Sequence, residues 1–408
     1  MSTAARGGVA SVLLALGLLV GASARAQSGS EGSSVLSEPV DVHGFVSQGF
    51  IKTTENEYLA HSKRGSFEFT EVGINFTKGL TNDVRFGVQL FAQDLGPLGN
   101  YRPQLDWFYL DWRFDDWLGV RAGRSKIPFG LYNESADVDA ARVPVLLPQS
   151  VYPIDHRDYL LAQTGGELYG NLRLGAAGGL EYRAYGGTFS VATPEAPAPG
   201  ITIRDLDVQY IYGGRLLWSP PLDGLTLGGS YQALRIDWKY DIDPALVPIF
   251  QSVGLLPPEF AGTLPLKFRV ELWVGSLEYQ IGNLLLASEY SRWIGEFESV
   301  APKLLPARTV NERYYVMASY RVAPWFTPGA YFSQYYPNVH RRGGRETHQR
   351  DLALSFRYDL HPNWLLKLEG HWMEGTAALD NKALNDGKAP RDLAKQWGML
   401  LVKTTAYF

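Results

Sequence analysis

The chain has 408 residues, 42 of them acidic and 38 basic, for a formal charge of −4, and it contains no cysteine. A disulfide scaffold, a thiolate zinc site and a thiol nucleophile are thereby excluded, and the acidic balance argues against a nucleic-acid partner. With 20% charged residues and a mean hydropathy of −0.14, no segment beyond the N-terminus supports a membrane-spanning helix, so any membrane role falls to strands.

The N-terminus reads as a secretory signal peptide. Arg6 precedes an apolar run from Val9 to Val20 and the small-residue stretch Gly21 to Ala26, with Ala24-x-Ala26 as a cleavage site before Gln27. The apolar run is about twelve residues, against the roughly twenty that a spanning helix needs. Residues 1–26 are therefore set aside; without Arg6 and Arg25 the basic residues fall from 38 to 36 against 42 acidic, a charge of −6. Residues 27–39 read as a short periplasmic segment, and residues 40–408 as an all-β outer-membrane barrel.

The evidence for a barrel is alternation over long runs. Val84, Phe86, Val88, Leu90 and Ala92 share one face, with Arg85, Gly87, Gln89, Phe91 and Gln93 on the other. Leu352, Leu354, Phe356, Tyr358 and Leu360 stand opposite Asp351, Ala353, Ser355, Arg357 and Asp359, and Trp364, Leu366, Leu368 and Trp372 opposite Lys367, Glu369 and His371. Soluble strands have a mode of about five to six residues, whereas a tilted membrane strand needs about nine to eleven. Tight links such as Ile281-Gly282 and His361-Pro362 alternate with long ones such as 54–65, 127–164, 241–265 and 375–395. That pattern predicts a transmembrane antiparallel up-and-down barrel of about sixteen strands, with short periplasmic turns, long extracellular loops and both termini in the periplasm.

Within this frame Gly123 to Glu134, reading Gly-Arg-Ser-Lys-Ile-Pro-Phe-Gly-Leu-Tyr-Asn-Glu, closes the fifth strand and opens the longest loop. It resembles the Gly-Arg-x-Lys-x-Pro-Phe-Gly segment of outer-membrane porins in the broad group containing the phosphate-selective porins. The resemblance implies a sixteen-stranded barrel, often a homotrimer, with a loop folded into the pore. Taken by parity alone, Arg124 and Lys126 face outward at the extracellular rim, in reach of lipopolysaccharide phosphates. Pro128 and Gly130 then end the strand, since proline donates no ladder hydrogen bond.

Loop 127–164 is too apolar to hang in water, given Val143 to Pro148 and Val151 to Ile154, and is expected to fold inward. Docked there, Asp137, Asp139, Arg142, Asp155, His156, Arg157 and Asp158 would form a constriction. In 241–265, Ala245, Leu246, Ile249, Phe250 and Val253 recur at helical spacing and predict a short amphipathic helix. The last strand runs to Phe408, and a terminal phenylalanine resembles the signal read by the barrel assembly machinery.

Arg or Lys facing lipid at the midplane costs about 2 to 4 kcal/mol, so charged positions are assigned to the lumen. The expected lining is Arg85, Asp111, Arg113, Arg121, Glu181, Arg183, Arg215, Arg269, Glu271, Arg313, Arg357, Lys367 and Glu369. Its mixed signs predict a wet, mutually paired lumen. Function follows as a porin-like channel for small hydrophilic solutes or ions in a Gram-negative outer membrane. A second reading is an exit conduit for a secreted polysaccharide, working with periplasmic export partners and lined by Trp107, Tyr109, Tyr185 and Trp273. A barrel enzyme ranks last: Asp155-His156-Arg157-Asp158 is its best acid–base cluster and lacks a nucleophile signature. Neither a cofactor nor a metal is expected, because no phosphate-binding loop or metal-ligand spacing occurs.

Overall fold

The computed structural model describes residues 39–97, 99–191, 200–260, 262–301, 307–379 and 384–408. The segments read as signal peptide and, apart from Pro39, as periplasmic spacer lie outside the described residues. Among the described residues sixteen strands follow one another: β1 Asp41–Thr53, β2 Thr70–Gly79, β3 Val84–Asp94, β4 Gln104–Asp115, β5 Leu118–Lys126, β6 Ala162–Arg173, β7 Gly179–Thr188, β8 Ile201–Ser219, β9 Leu225–Ile242, β10 Thr263–Ile281, β11 Leu284–Ser299, β12 Arg308–Tyr320, β13 Phe326–Tyr336, β14 Gln349–His361, β15 Trp364–Gly375 and β16 Gln396–Tyr407. Each pairs antiparallel with the next, and β1 pairs with β16, from Phe45 opposite Tyr407 to Thr53 opposite Met399, which closes the barrel. Short and long connections alternate around the sequence, so one rim carries tight turns and the other carries loops.

The two faces of a strand separate as the period-two pattern requires. In β14 the residues Leu352, Leu354 and Phe356 are exposed on the outside, whereas Asp351, Ala353 and Ser355 are buried within. Exposed apolar side chains continue around the outer wall through Phe86, Leu90, Leu110, Leu168, Leu216, Leu277, Val316 and Leu400. Aromatic rings edge this band near the short turns, where Trp112 and Phe114 stack at 4.4 Å and Trp325 lies 5.6 Å from Phe326. Toward the loop rim Tyr231 and Trp273 form a second aromatic edge, at 4.3 Å.

Two expected lining residues lie on the other side of the wall. Arg269 and Glu271 alternate with Val270, Leu272 and Val274, and it is these apolar residues that are buried in the interior cluster. Arg269 instead pairs with Glu298 at 3.2 Å on the outer surface, and Trp273, 51% exposed, shares that face. The physical reason is strand length: β10 has 19 residues, and about ten, counted from Ile281, already use up the membrane span. Beyond that point the outer face meets water, and charge there carries no lipid penalty.

The helical spacing in 241–265 yields a helix at Val247–Ser252. Leu246, Val247 and Phe250 pack on a small cluster with Ile242, Leu256 and Leu264, while Ile249 and Val253 remain exposed.

An outward Leu354→Arg should therefore lower the free energy of reversible folding into bilayers by about 2 to 4 kcal/mol. Arg269→Leu, above the lipid, should shift it by less than about 1 kcal/mol. Equal effects from the two variants in urea titrations would place the membrane boundary elsewhere on β10.

Candidate functional site

The segment between β5 and β6 lies inside the barrel and is bonded to the wall on both sides of the lumen. It begins where Gly130 takes a left-handed φ of 60°, which lets the chain turn off the wall. The Gly130 amide then donates to Ser230 Oγ at 3.0 Å, and its carbonyl accepts from Arg215 at 3.1 Å. Short 3₁₀ turns at Asn133–Ser135, Asp139–Ala141 and Ile154–His156 and a helical turn at Arg157–Leu160 fold the rest.

Two wall carboxylates clip the loop backbone. Glu289 of β11 accepts from the Leu131 amide at 2.9 Å, from Tyr315 at 2.8 Å, from Ser276 at 2.5 Å and from the Tyr152 hydroxyl. Glu369 of β15 accepts from the consecutive Val145 and Leu146 amides at 2.8 and 3.0 Å, and from Ser355 at 2.5 Å. His371 bridges Glu369 and Asp351 at 3.0 and 2.9 Å. Hydrogen bonds to a charged acceptor are worth about 1.5–3 kcal/mol each, so these clips are strong ties.

A third anchor is ionic. Asp139, fully buried, meets Lys403 at 2.8 Å, Arg142 at 3.0 Å, Thr405 at 2.6 Å and Lys367 at 3.6 Å. Burial works to raise its pKa, but the charges of Lys403, Lys367 and Arg142 outweigh it and hold the carboxyl well below the usual range. Lys403 also binds Glu71 at 2.5 Å, and Lys367 donates to the Pro144 carbonyl at 3.0 Å. Apolar side chains complete the docking. Ile127, Phe129, Leu147, Val151 and Leu160 pack with Leu234, Leu272 and Met317 on one side of the lumen, while Val145 and Leu146 pack with Ile51, Met373 and Leu401 on the other.

The remaining expected lining residues divide by partner. Arg183 pairs with Glu167 and, at 3.0 Å, with Glu134 of the loop; Arg215 pairs with Glu134 and Glu181, both at 2.8 Å. Arg85 binds Asp111 at 2.8 Å, and Arg121 lies 3.5 Å from that carboxylate with its guanidinium over Tyr169 at 4.5 Å. Arg313 donates to the Ser150 carbonyl at 3.0 Å and Arg357 to the Ala140 carbonyl at 2.5 Å. Arg113, by contrast, sits at the exposed turn rim with Asp116. Of the loop charges, Asp137 binds Lys126 at 2.7 Å and Asp155 faces the cavity on the loop side; the side chains of His156, Arg157 and Asp158 lie outside the described residues.

Arg124 and Lys126 are therefore not directed at lipid phosphates. Lys126 is largely buried between Asp137 and Asp106, and Arg124 donates to the Asp106 carbonyl at 2.9 Å. Register explains the difference: a bulge at Asp106 in the β3–β4 pairing brings a carboxylate to the loop root. Sequence reasoning also missed Glu289, Lys403, Glu71, Glu134 and Glu167. Glu167 and Glu289 share parity with polar Gln163 and Ser291, a usable signal. Lys403 follows Trp397, Met399 and Leu401 on its face, and nothing in that apolar row distinguishes it from an outer row.

The loop divides the interior. A cavity of about 840 Å³ opens toward the loop rim. Two of about 360 and 370 Å³ lie toward the short turns, bordered by Arg142, Arg321 and Arg357 and by Arg85, Arg113 and Arg121 respectively.

No family model and no curated protein matches the chain. Solved structures with the same fold include outer-membrane OmpT of Vibrio cholerae, at 9% identity and a TM-score of 0.56, covering 90% of this chain and 97% of that one. An anion-selective porin from Comamonas acidovorans has 10% identity and a TM-score of 0.55, covering 91% and 99%. OmpF of Salmonella typhi, solved in complex with daunomycin, has 12% identity and a TM-score of 0.54, covering 90% and 97%. OmpT has also been solved in a form described as a trimer. The chain thus shares the closed sixteen-strand barrel fold of outer-membrane porins.

Because the Asp139 carboxyl is depressed, its stabilisation is present above the ordinary value near 3.8 and is lost only as the pH falls below it. Loop docking should accordingly be unchanged by this group between pH 7 and 5. Asp139→Asn should instead weaken it throughout that range by about 3–5 kcal/mol, since a buried pair loses one partner. The readout is proteolysis within 136–158 and the thermal midpoint of the folded barrel; wild-type behaviour in both would refute the anchor.

Proposed function

We propose that the protein is an outer-membrane porin-like channel, passing small hydrophilic solutes or ions, in which loop 127–164 sets the constriction. The observation that carries this is the pair of carboxylate clips, Glu289 and Glu369, which hold the loop between cavities on either side. The apolar outer band faces lipid, with the loop rim extracellular and lipopolysaccharide around it, and the short turns and both termini in the periplasm. The Gly123 to Glu134 segment supports kinship with the group containing the phosphate-selective porins, and with it a homotrimer. Arg85, Arg121, Arg183, Arg215 and Arg357 act as lining groups, mostly matched by carboxylates, so that charge selection is mild.

Passive diffusion is favoured over a polysaccharide exit because the aromatic track is broken. Tyr185 is buried beneath the loop cluster and Trp273 faces outward, which leaves the stacked Trp107 and Tyr109. The protein acts as a pore and not as an enzyme in this account.

Deleting residues 136–158 should raise single-channel conductance in planar bilayers several-fold, by removing the obstruction. An unchanged conductance from a deletion variant that still folds into a heat-modifiable barrel would exclude the loop as the constriction.

A further inference from the structure

Buried cations inside the barrel are matched by carboxylates: Lys403 and Lys367 by Asp139, Arg183 by Glu134 and Glu167, Arg215 by Glu134 and Glu181. Arg313 on β12 breaks the rule. It is 2% exposed, and its guanidinium lies between two rings, 3.5 Å from the Trp293 centroid and 4.2 Å from that of Tyr335. Its one hydrogen bond goes from Nη1 to the Ser150 carbonyl, and its buried Nε has no partner. Among the described residues no carboxylate makes an ion pair with it. Ring faces and one carbonyl replace only part of the water that such a cation gives up.

This cation lines the 840 Å³ cavity on the loop rim, a volume within the range of about 300–1,000 Å³ typical of small-molecule sites. Tyr58, Leu59, Ala378, Leu379 and Leu384 give the cavity apolar walls. Among the described residues Glu57, Asp155 and Glu346 line it as well, with Arg391 as a further cation. A ligand there gains from one negative charge placed on Arg313, and each additional charge meets the surrounding carboxylates. A planar guanidinium held by two rings presents its fork in a fixed direction, which suits a carboxylate.

We infer that this cavity binds a small organic monocarboxylate with an apolar body, its carboxylate seated on Arg313. This rests on the channel reading for its purpose, since a solute held at the mouth is concentrated before it crosses. It stands on its own for its chemistry.

The test uses the full-length barrel folded in detergent at pH 7, with benzoate as probe and benzyl alcohol and inorganic phosphate as comparisons, read by calorimetry and tryptophan fluorescence. Benzoate should bind at least tenfold more tightly than either comparison, and Arg313→Gln should lose at least that factor, with Arg313→Lys between. Should Arg313→Gln fail to fold, Ala378→Trp, which fills the cavity and leaves Arg313 in place, must produce the same loss. Phosphate binding as tightly as benzoate, or undiminished benzoate binding in a folded variant, overturns the inference. Conductance in planar bilayers separates the two proposals. A conducting barrel that does not bind benzoate removes the inference alone, and a binding barrel that never conducts removes the channel alone.

Discussion

The constraint on which everything else depends is that a backbone in lipid has no water to satisfy its amides and carbonyls. A sheet meets it only by leaving no edge, and here the seam between β1 and β16 supplies that closure. Closure at sixteen strands has its own consequence: the enclosed space is too wide for wall side chains to fill. An apolar connection of the length of 127–161 then finds its nearest covering surface inside. The wall is adapted to receive it, with Leu234, Leu272 and Met317 on inner faces where a plain water-filled wall would carry polar groups.

What fixes the loop in one position is polar. Apolar contact alone is indifferent to small slides, whereas a carboxylate that accepts two consecutive amides, as Glu369 does, defines position and direction together. Near the start of the loop Glu289 accepts the Leu131 amide and the Tyr152 hydroxyl, and Asp139 pairs with both lysines of the opposite wall. Most lumen charges are consequently engaged, which is why Arg313, sandwiched and among the described residues without a carboxylate, stands apart.

Strand number and connection lengths were legible in the sequence because each depends on a pattern long enough to average over individual residues. Facing was legible where the outside is lipid: Leu352, Leu354 and Phe356 could go only one way. It failed at Arg269 and Glu271, since the rule that charge points inward lapses once a strand rises above the membrane, and nothing local marks that height. It failed again at Lys126, where one bulged residue, Asp106, redirects a side chain that parity assigns outward. Arg313 was placed inside by parity, but its lack of a carboxylate is a tertiary fact, arising from which strands and loops happen to surround it.

The loop is also a tie across a ring. A barrel wall held by ladder hydrogen bonds bends readily where its strands lack side chains, and β6, β7 and β8 meet at Gly165, Gly166, Gly186, Gly187, Gly213 and Gly214. The loop joins β7, β8, β9, β11 and β12 to β14, β15 and β16 through Arg183, Arg215, Ser230, Glu289, Arg313, Arg357, Glu369 and Lys403, spanning the ring as a chord. Squeezing such a cross-section into an oval strains the chord, and with Arg183 and Arg215 holding the loop beside the glycines, the tied ring resists lateral pressure from the bilayer.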